Sequence, residues 1–266
     1  MKEINDELTV KRNYGELKDS LFLKGTSFDL KTEYPGLATG TGMGHEADVK
    51  GELKLGFYFD YTTGQPVIPG STIKGVLRSA FPQWDGHKKT SEKKKLAKTA
   101  YIYMLLERKG NEKWDELRKK WDALDDDEII KQKKRITTIE KEIFEGVVNG
   151  ENIPVYQRDI FHDAYISAGT TLNPAKDRIL GVDSITPHVQ EGMSYEASML
   201  KNPTPISFLK VLPDVRFSFH FILNDHSSNH SDLLNSDKKK DLFKQILLDF
   251  GIGAKTNVGY GQFSAD

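Results

Sequence analysis

Residues 68–80 read IPGSTIKGVLRSA and carry the pattern of a helix that starts directly after a turn. The Pro-Gly pair forms the turn, and the hydroxyl of Ser71 or Thr72 can then cap the first helical turn. Apolar residues follow at the i, i+3, i+4 and i+7 positions of one helix face. They are Ile73, Val76, Leu77 and Ala80. This spacing predicts an amphipathic helix that packs its apolar face on a core.

The same predicted helix carries a basic face. Lys74 and Arg78 are four residues apart, so they share one side of it. The first turn of a helix exposes backbone N–H groups and partial positive charge, and Ser71 adds a hydroxyl there. Together these groups suit a phosphate, although the spacing also fits an ordinary amphipathic helix with a solvated basic edge. Ser71, Lys74 and Arg78 are therefore candidate binding residues.

A glycine-rich stretch near the end of the chain, residues 249–263, reads DFGIGAKTNVGYGQF. It follows an apolar helical pattern, whereas a Rossmann fingerprint opens a helix after a strand, and it contains no Gly-Lys-Ser/Thr of a phosphate-binding loop. Four glycines at this density indicate backbone with positive φ or backbone that closely approaches another group. A helix C-terminus needs only one left-handed residue, so we interpret the other glycines as surplus to the fold.

The overall composition sets limits on the class of protein. The chain has 266 residues, a net charge of −1 and no cysteine, which excludes disulfides and cysteine-based zinc sites. A nucleic-acid-binding protein of this composition must concentrate its positive charge locally. The first residues are too charged for a secretory signal, and no apolar run is long enough to span a membrane. We expect a cytoplasmic protein with no membrane partner.

Strand patterns around these two stretches predict the fold class. Residues 52–61 alternate between apolar and polar side chains, and residues 206–212 and 215–223 read as a hairpin joined by Pro213-Asp214. Residues 183–188 are interpreted as a compact polar turn, and 238–250 as the last helix. The resulting order is β-α-β-β-α-β, which predicts an α+β protein with a ferredoxin-like, RRM-like core.

Residues 84–150 differ in character from the rest of the chain. They are rich in charges of both signs, and a narrow apolar stripe runs through them at Trp114, Leu117, Trp121 and Leu124. This pattern is typical of helices that dock by one edge and keep a solvated face. We predict one domain over residues 1–266, with 84–150 as a helical insertion.

Several of these motifs resemble a known family. The segments IPGSTIKGVLR and GIGAKTNVGYGQF resemble the RAMP superfamily of CRISPR proteins, which are RNA-binding proteins with an RRM-like fold. TGTGMGH at 39–45, DSITPH at 183–188 and NPTPI at 202–206 are similar to the family of sixth subunits of type III-B Cmr effector complexes.

The resemblance implies an RNA-binding structural subunit of an RNA-guided interference complex, with no cofactor. Such a subunit lies near the 3′ end of the CRISPR guide RNA and helps hold guide and target RNA. It contacts other Cmr subunits, including the repeated backbone subunit and the neighbouring end subunit. The predicted RNA-binding residues are Ser71, Lys74, Arg78, His45, Gly251, Gly253, Lys255, Asn257, Gly259, Tyr260 and Gly261.

Two alternatives remain open from the sequence. His45 could act as general acid or base on a 2′-OH in a metal-independent RAMP endoribonuclease, with Lys255 or Lys74 stabilising the phosphate. Otherwise His45 makes a polar contact to RNA or to a neighbouring subunit, which is the reading we favour, and we expect Asp48 to be non-catalytic. Tyr260 either stacks on a base or packs the last strand.

Overall fold

The computed structural model of the protein describes residues 25–39, 54–85, 90–110, 112–167, 178–185, 206–226 and 233–265. The strands in these ranges are β1 (Thr26–Thr32), β2 (Lys54–Leu55), β3 (Tyr58–Phe59), β4 (Pro66–Ile68), β5 (Val147–Val148), β6 (Glu151–Asn152), β7 (Ile160–Phe161), β8 (Ala164–Ile166), β9 (Leu180–Ile185), β10 (Ile206–Val211), β11 (Arg216–Ile222) and β12 (Phe263–Ser264). The α-helices are α1 (Gly70–Ala80), α2 (Glu92–Glu107), α3 (Trp114–Asp122), α4 (Asp126–Glu145) and α5 (Ser236–Phe250), and 3-10 turns span Val155–Gln157 and Thr256–Val258. No helix in these ranges is long and apolar enough to cross a membrane.

The central sheet has the strand order β12-β1-β11-β8-β4-β3, and β7 pairs with β11 next to β8. Its core strands are antiparallel: Leu30 of β1 pairs with Phe217 of β11, which pairs with Ile166 of β8. If β7 and β8 are taken as one strand, the four core strands have the spatial order 4-1-3-2 in chain numbering. Helix α1 lies between the first and second of them and α5 between the third and fourth. This topology confirms the predicted ferredoxin-like α+β class.

The predicted strand at 52–61 is wrong as a single element. β2 and β3 are separated at Gly56 and belong to different sheets, since β2 pairs in parallel with β10 and β3 pairs with β4. Gly56 lies where the chain leaves the smaller sheet, and its N–H donates to the carbonyl oxygen of Leu209 over 2.9 Å. The first core strand is instead β1, in which Phe28 and Leu30 are buried.

The predicted hairpin of β10 and β11 is also wrong. Both strands form, and Pro213-Asp214 turns the chain between them, but β10 pairs with β9 and β2, whereas β11 pairs with β1 and β8. The turn therefore passes the chain from one sheet to the other. The residues expected to form a compact turn at 183–188 start inside β9 instead, where Asp183 pairs with Phe208, and residues beyond 185 lie outside the described ranges.

The period-two pattern of β11 correctly predicts its buried face. Val215, Phe217, Phe219 and Phe221 are all at most 1% exposed. The ring of Phe221 lies 5.4 Å from that of Phe243 on α5, measured between centroids. Ile73, Leu77 and Ala80 of α1 are fully buried in the same core, as the helical spacing predicts.

Residues 84–150 contain α2, α3, α4 and the small β5-β6 hairpin. Three residues of the predicted apolar stripe face inward, since Leu117 is fully buried and Trp121 and Leu124 pack on the core, whereas Trp114 is 37% exposed. Helices α2 and α4 do more than dock by an edge. Ile102 of α2 and Ile136, Ile139 and Ile143 of α4 belong to the same hydrophobic core as the central sheet.

Candidate functional site

The glycine-rich loop, residues 251–262, connects α5 to β12 and lies against residues 33–39, which follow β1. Backbone hydrogen bonds join the two segments. They run from Ala254 N–H to Ala38 O (2.7 Å), from Gly261 N–H to Gly36 O (2.8 Å) and from Glu33 N–H to Gln262 O (2.9 Å). We call residues 33–39 together with 251–262 the loop end of the sheet.

All four glycines of the loop have positive φ, as the sequence predicts. The values are +66° for Gly251, +100° for Gly253, +96° for Gly259 and +69° for Gly261. Three of them also have no space for a Cβ: it would collide with the carbonyl oxygen of Ala38 at Gly253, of Ile252 at Gly261 and of Gly261 at Gly251. The interpretation that all but one glycine are surplus to the fold is therefore wrong. Contact of these glycines with RNA stays a prediction.

Gly259 differs from the other three glycines. The atoms closest to a Cβ built there are Pro35 Cδ at 3.3 Å and the Tyr34 carbonyl oxygen at 3.9 Å, so only its backbone angle demands glycine. The turn before it is open to solvent: Asn257 is exposed and Val258 is 65% exposed. This turn is the part of the glycine-rich loop that can meet another molecule.

Lys255 opens that turn in a left-handed conformation, with φ of 59°. Its ammonium lies 5.5 Å from the centroid of the Phe208 ring, a cation–π distance. Its side chain is half-buried rather than fully extended into solvent. Lys255 and Asn257 therefore present a cation and an amide from one short turn.

Tyr260 packs inside the protein. It is 8% exposed, its ring centroid lies 5.9 Å from that of Phe208, and the Lys210 ammonium lies 5.4 Å from the ring. Its hydroxyl donates to Asp183 Oδ2 over 2.5 Å. Burial raises the pKa of Tyr260, and this hydrogen bond raises it further. Of the two readings of Tyr260, packing is confirmed. Stacking on a base is wrong, because the ring is already covered.

At the other candidate stretch, the start of α1 is capped differently from the prediction. The N-cap residue is Pro69, and no side chain of Ser71 or Thr72 caps the helix. The N–H of Gly70 instead donates to Asp163 Oδ1 over 2.6 Å. The Asp163 carboxylate therefore accepts from a backbone N–H of the helix start that was expected to bind phosphate. The side chain of Ser71 remains exposed.

Lys74 lies half-buried beside this helix start. Its ammonium is 5.5 Å from the centroid of the Phe161 ring. Burial lowers the pKa of Lys74, the positive charges of Arg78 and Arg158 lower it further, and Asp159 and Glu145 oppose this shift. Three cations, Lys74, Arg78 and Arg158, therefore lie close to one another. We call Gly70, Lys74, Arg78 and residues 158–163 together the helix-start end of the sheet. The charge of Arg158 was not singled out from the sequence.

Arg78 is engaged within the chain. Its guanidinium pairs with Glu145 and lies 3.9 Å from Glu140 Oε1, and both carboxylates come from α4. In the described part of the chain no carboxylate lies within ion-pair distance of Lys74. Of the two residues that were expected to bind phosphate together, Lys74 is thus the cation whose charge is left for a ligand.

A buried ion cluster lies beneath the helix-start end. The ammonium of Lys239 is fully buried and donates to Glu142 Oε1 over 2.6 Å, to Asp159 Oδ2 over 2.8 Å and to the Asn224 carbonyl oxygen over 2.8 Å. Burial raises the pKa of Glu142 to about 7; Lys239 opposes this shift and Asp159 adds to it. Burial also raises the pKa of Asp159.

The two ends lie at opposite ends of β1. Phe161 pairs with Phe221, which pairs with Thr26 at the start of β1, whereas Phe263 pairs with Thr32 at its end. Six residues of an extended strand span about 20 Å. The predicted RNA-binding residues therefore fall into two separate groups. Ser71, Lys74 and Arg78 are at the helix-start end, and the glycine-rich loop is at the other. His45, Asp48 and His188 lie outside the described residues.

The antiparallel 4-1-3-2 core, its two connecting helices and the glycine-rich loop before the last strand define a class, the ferredoxin-like α+β proteins. The chain belongs to the RAMP superfamily, whose family model matches residues 29–264.

Solved structures to which the chain is similar include Cmr6 and chains of Cmr and Csm complexes. A chain of type III-B Cmr-beta bound to cognate target RNA is 23% identical with a TM-score of 0.47, and the match covers 90% of this chain but 57% of that chain. Cmr6 from Pyrococcus furiosus is 24% identical with a TM-score of 0.44, over 93% of this chain and 100% of that one. A chain of a type III-A Csm-crRNA-target RNA ternary complex is 14% identical with a TM-score of 0.31, over 75% and 51%. No curated protein matches significantly.

Proposed function

We propose that this protein is a non-catalytic RNA-binding subunit of a type III-B CRISPR RNA-guided interference complex. Membership of the RAMP superfamily supports an RNA-binding role. The observation that carries the proposal is the construction of the loop end. Three glycines pin the loop to the protein, and the turn between them carries the half-buried Lys255 and the exposed Asn257.

This construction suits a nucleic acid backbone. A cation and an amide on one short turn can bind a phosphate and a sugar or base edge, and left-handed backbone exposes N–H groups to anions. The net charge of −1 leaves no general attraction for RNA, so affinity has to come from such local groups. Lys74 and Arg158 form the second local concentration of positive charge.

In the complex, we place the subunit near the 3′ end of the guide RNA, where it helps hold guide and target RNA. Its protein partners are the repeated backbone subunit and the neighbouring end subunit. The motifs at 39–45, 183–188 and 202–206 support this position by their similarity to the sixth-subunit family.

Co-expression of the full chain with the other subunits of its complex tests the proposal. After purification through this chain, we expect guide RNA by sequencing and the backbone and end subunits by mass spectrometry. Recovery of the chain without RNA and without those subunits would contradict the proposal.

Salt dependence of binding tests which groups touch RNA. For single-stranded RNA, each neutralised phosphate contributes about 0.7 to the slope of log affinity against log salt. We expect Lys74→Ala and Lys255→Ala each to reduce this slope by about 0.7, as measured by filter binding between low and moderate salt.

Lys131→Ala is the matched control, since Lys131 is exposed on α4 and has no proposed RNA contact. Its slope should equal that of the unmodified protein. If Lys255→Ala kept the full slope, the loop end would not bind phosphate. If Lys74→Ala kept it, RNA contact would be confined to the loop end.

A further inference from the structure

Tyr34 is a large aromatic side chain left almost entirely in water at the loop end. It is 85% exposed, whereas Tyr260, which is also at the loop end, is 8% exposed. Aromatic rings are usually covered because burying them is strongly favourable. The chain thus buries Tyr260 almost completely and leaves most of Tyr34 exposed.

The backbone that carries Tyr34 is held in place on both sides. The N–H of Gly36 donates to the Glu33 carbonyl oxygen over 2.7 Å, which closes the turn, and the N–H of Glu33 donates to the Gln262 carbonyl oxygen. Leu37, directly after the turn, exchanges backbone hydrogen bonds with Val211. A ring on a fixed backbone loses little freedom on binding, because only its side-chain rotamers have to be restricted.

The groups around Tyr34 favour the base of a nucleotide over its phosphate. Glu33, the preceding residue, is an exposed carboxylate, so its charge disfavours a phosphate in its neighbourhood. The turn with Lys255 and Asn257 leads into Gly259, where a Cβ would lie 3.9 Å from the Tyr34 carbonyl oxygen. Phosphate is thus favoured beside Lys255, and the uncharged base beside Tyr34.

We propose that the Tyr34 ring is a stacking platform for an unpaired RNA base, next to a backbone phosphate held by the 255–259 turn. The proposal rests on the proposed RNA-binding function and adds a binding residue to it. Aromatic side chains stack on any base, because every base has a π-face. The platform therefore adds affinity for single-stranded RNA without selecting a sequence.

The test compares variants of the full chain in filter binding to a single-stranded RNA oligonucleotide over a salt series. Tyr34→Ala should weaken binding about tenfold or more, and Tyr34→Phe should bind like the unmodified protein because it keeps the ring. Stacking displaces no counterions, so the salt slope of Tyr34→Ala should stay unchanged, unlike that of Lys255→Ala.

Tyr61→Ala is the matched control. Tyr61 is fully exposed in the loop between β3 and β4, at the edge of the central sheet opposite β12, and its removal should leave affinity unchanged. A second control is an oligonucleotide with abasic sites, which keeps the phosphates but offers no base. On this RNA the unmodified protein and Tyr34→Ala should bind equally.

Three results would overturn the platform while leaving the proposed function intact. In the first, Tyr34→Ala binds RNA as tightly as the unmodified protein. In the second, Tyr34→Phe loses as much affinity as Tyr34→Ala. In the third, Tyr34→Ala loses subunit assembly but keeps its RNA binding. The first removes any role in RNA binding, the second assigns the effect to the hydroxyl, and the third makes Tyr34 a protein contact. Failure of the unmodified chain and of its purified complex to bind RNA would instead overturn both proposals.

Discussion

The helix-start end and the loop end of the central sheet differ in which contacts predominate. At the helix-start end, side chains of opposite charge pair with each other, in the interior through Lys239 and at the surface through Arg78. At the loop end, backbone groups pair with backbone groups, and Gly253 and Gly261 permit a contact too close for any side chain.

The difference bears on how folding and binding can be separated. The charges at the helix-start end are largely used within the chain, so a change there acts first on stability. At the loop end the glycines form an internal anchor, and the exposed side chains of Tyr34 and Asn257 take no part in it. Variants of those exposed side chains should therefore change binding without changing the fold.

The largest expected effect is at the buried ion cluster. Lys239→Met keeps most of the side-chain volume but leaves Glu142 and Asp159 buried without their cation. Removing one partner of a buried ion pair costs about 3–5 kcal/mol. We expect a loss of unfolding free energy of this size, measured by urea denaturation at neutral pH.

The neighbouring Lys238 is exposed and offers a matched control. Lys238→Met should change the unfolding free energy by less than about 0.5 kcal/mol. Equal stability of the two variants would mean that the interior charges do not hold the helix-start end, and the contrast between the ends would disappear.

The second effect concerns the anchor of the loop end. Gly261→Ala adds a Cβ that collides with the Ile252 carbonyl oxygen at a residue with φ of +69°. Left-handed backbone costs a non-glycine residue about 1–2 kcal/mol, and overpacking adds about 1–3 kcal/mol. The expected total loss of stability is about 2–5 kcal/mol by urea denaturation.

Gly64 separates these two contributions. Its φ of +67° is nearly the same, but a Cβ there would have nothing within 4 Å. Gly64→Ala should therefore lose only about 1–2 kcal/mol, the cost of the backbone conformation. Should both alanine variants lose the same amount, the close contact at Gly261 would carry no energy.

The smallest effect is a pH dependence that belongs to the helix-start end. The pKa of Glu142 in the folded protein is about 7, above the ordinary value of 4.5. Between these values the folded state binds more protons than the unfolded state, so the contribution of Glu142 to stability falls as pH rises from 4.5 to 7. The slope from this residue is at most about 1.4 kcal/mol per pH unit.

Glu142→Gln should lower the measured slope by this amount in urea denaturation at pH 5, 6 and 7 and leave the contribution of Asp159, whereas Glu116→Gln, at an exposed position of α3, should keep the full slope. The groups that face Glu142 are Lys239, Asp159 and His226, whose Nε2 lies 3.6 Å from Glu142 Oε1. His226→Asn therefore measures the separate contribution of the imidazole. An unchanged slope in Glu142→Gln would assign the pH dependence to another group.

Part of the candidate site follows from local sequence. The positive φ of the loop glycines was predicted from their density, and the buried face of α1 from its spacing. The residues that contact these glycines and this helix were not predicted. Gly253 packs on Ala38, and Asp163, 93 residues from Gly70 in the sequence, caps α1. No local pattern indicates a contact between residues so far apart.

The α+β class, the helix at 70–80 and the buried face of β11 follow from the amino-acid sequence, because each depends on a periodicity within a few neighbouring residues. Tertiary structure alone decided which strands share a sheet, since β10 and β11 have equally strong strand patterns and are sorted by their distant partners β9 and β1. It also decided that the basic helix and the glycine-rich loop lie at opposite ends of β1, because the distance between them depends on strand register.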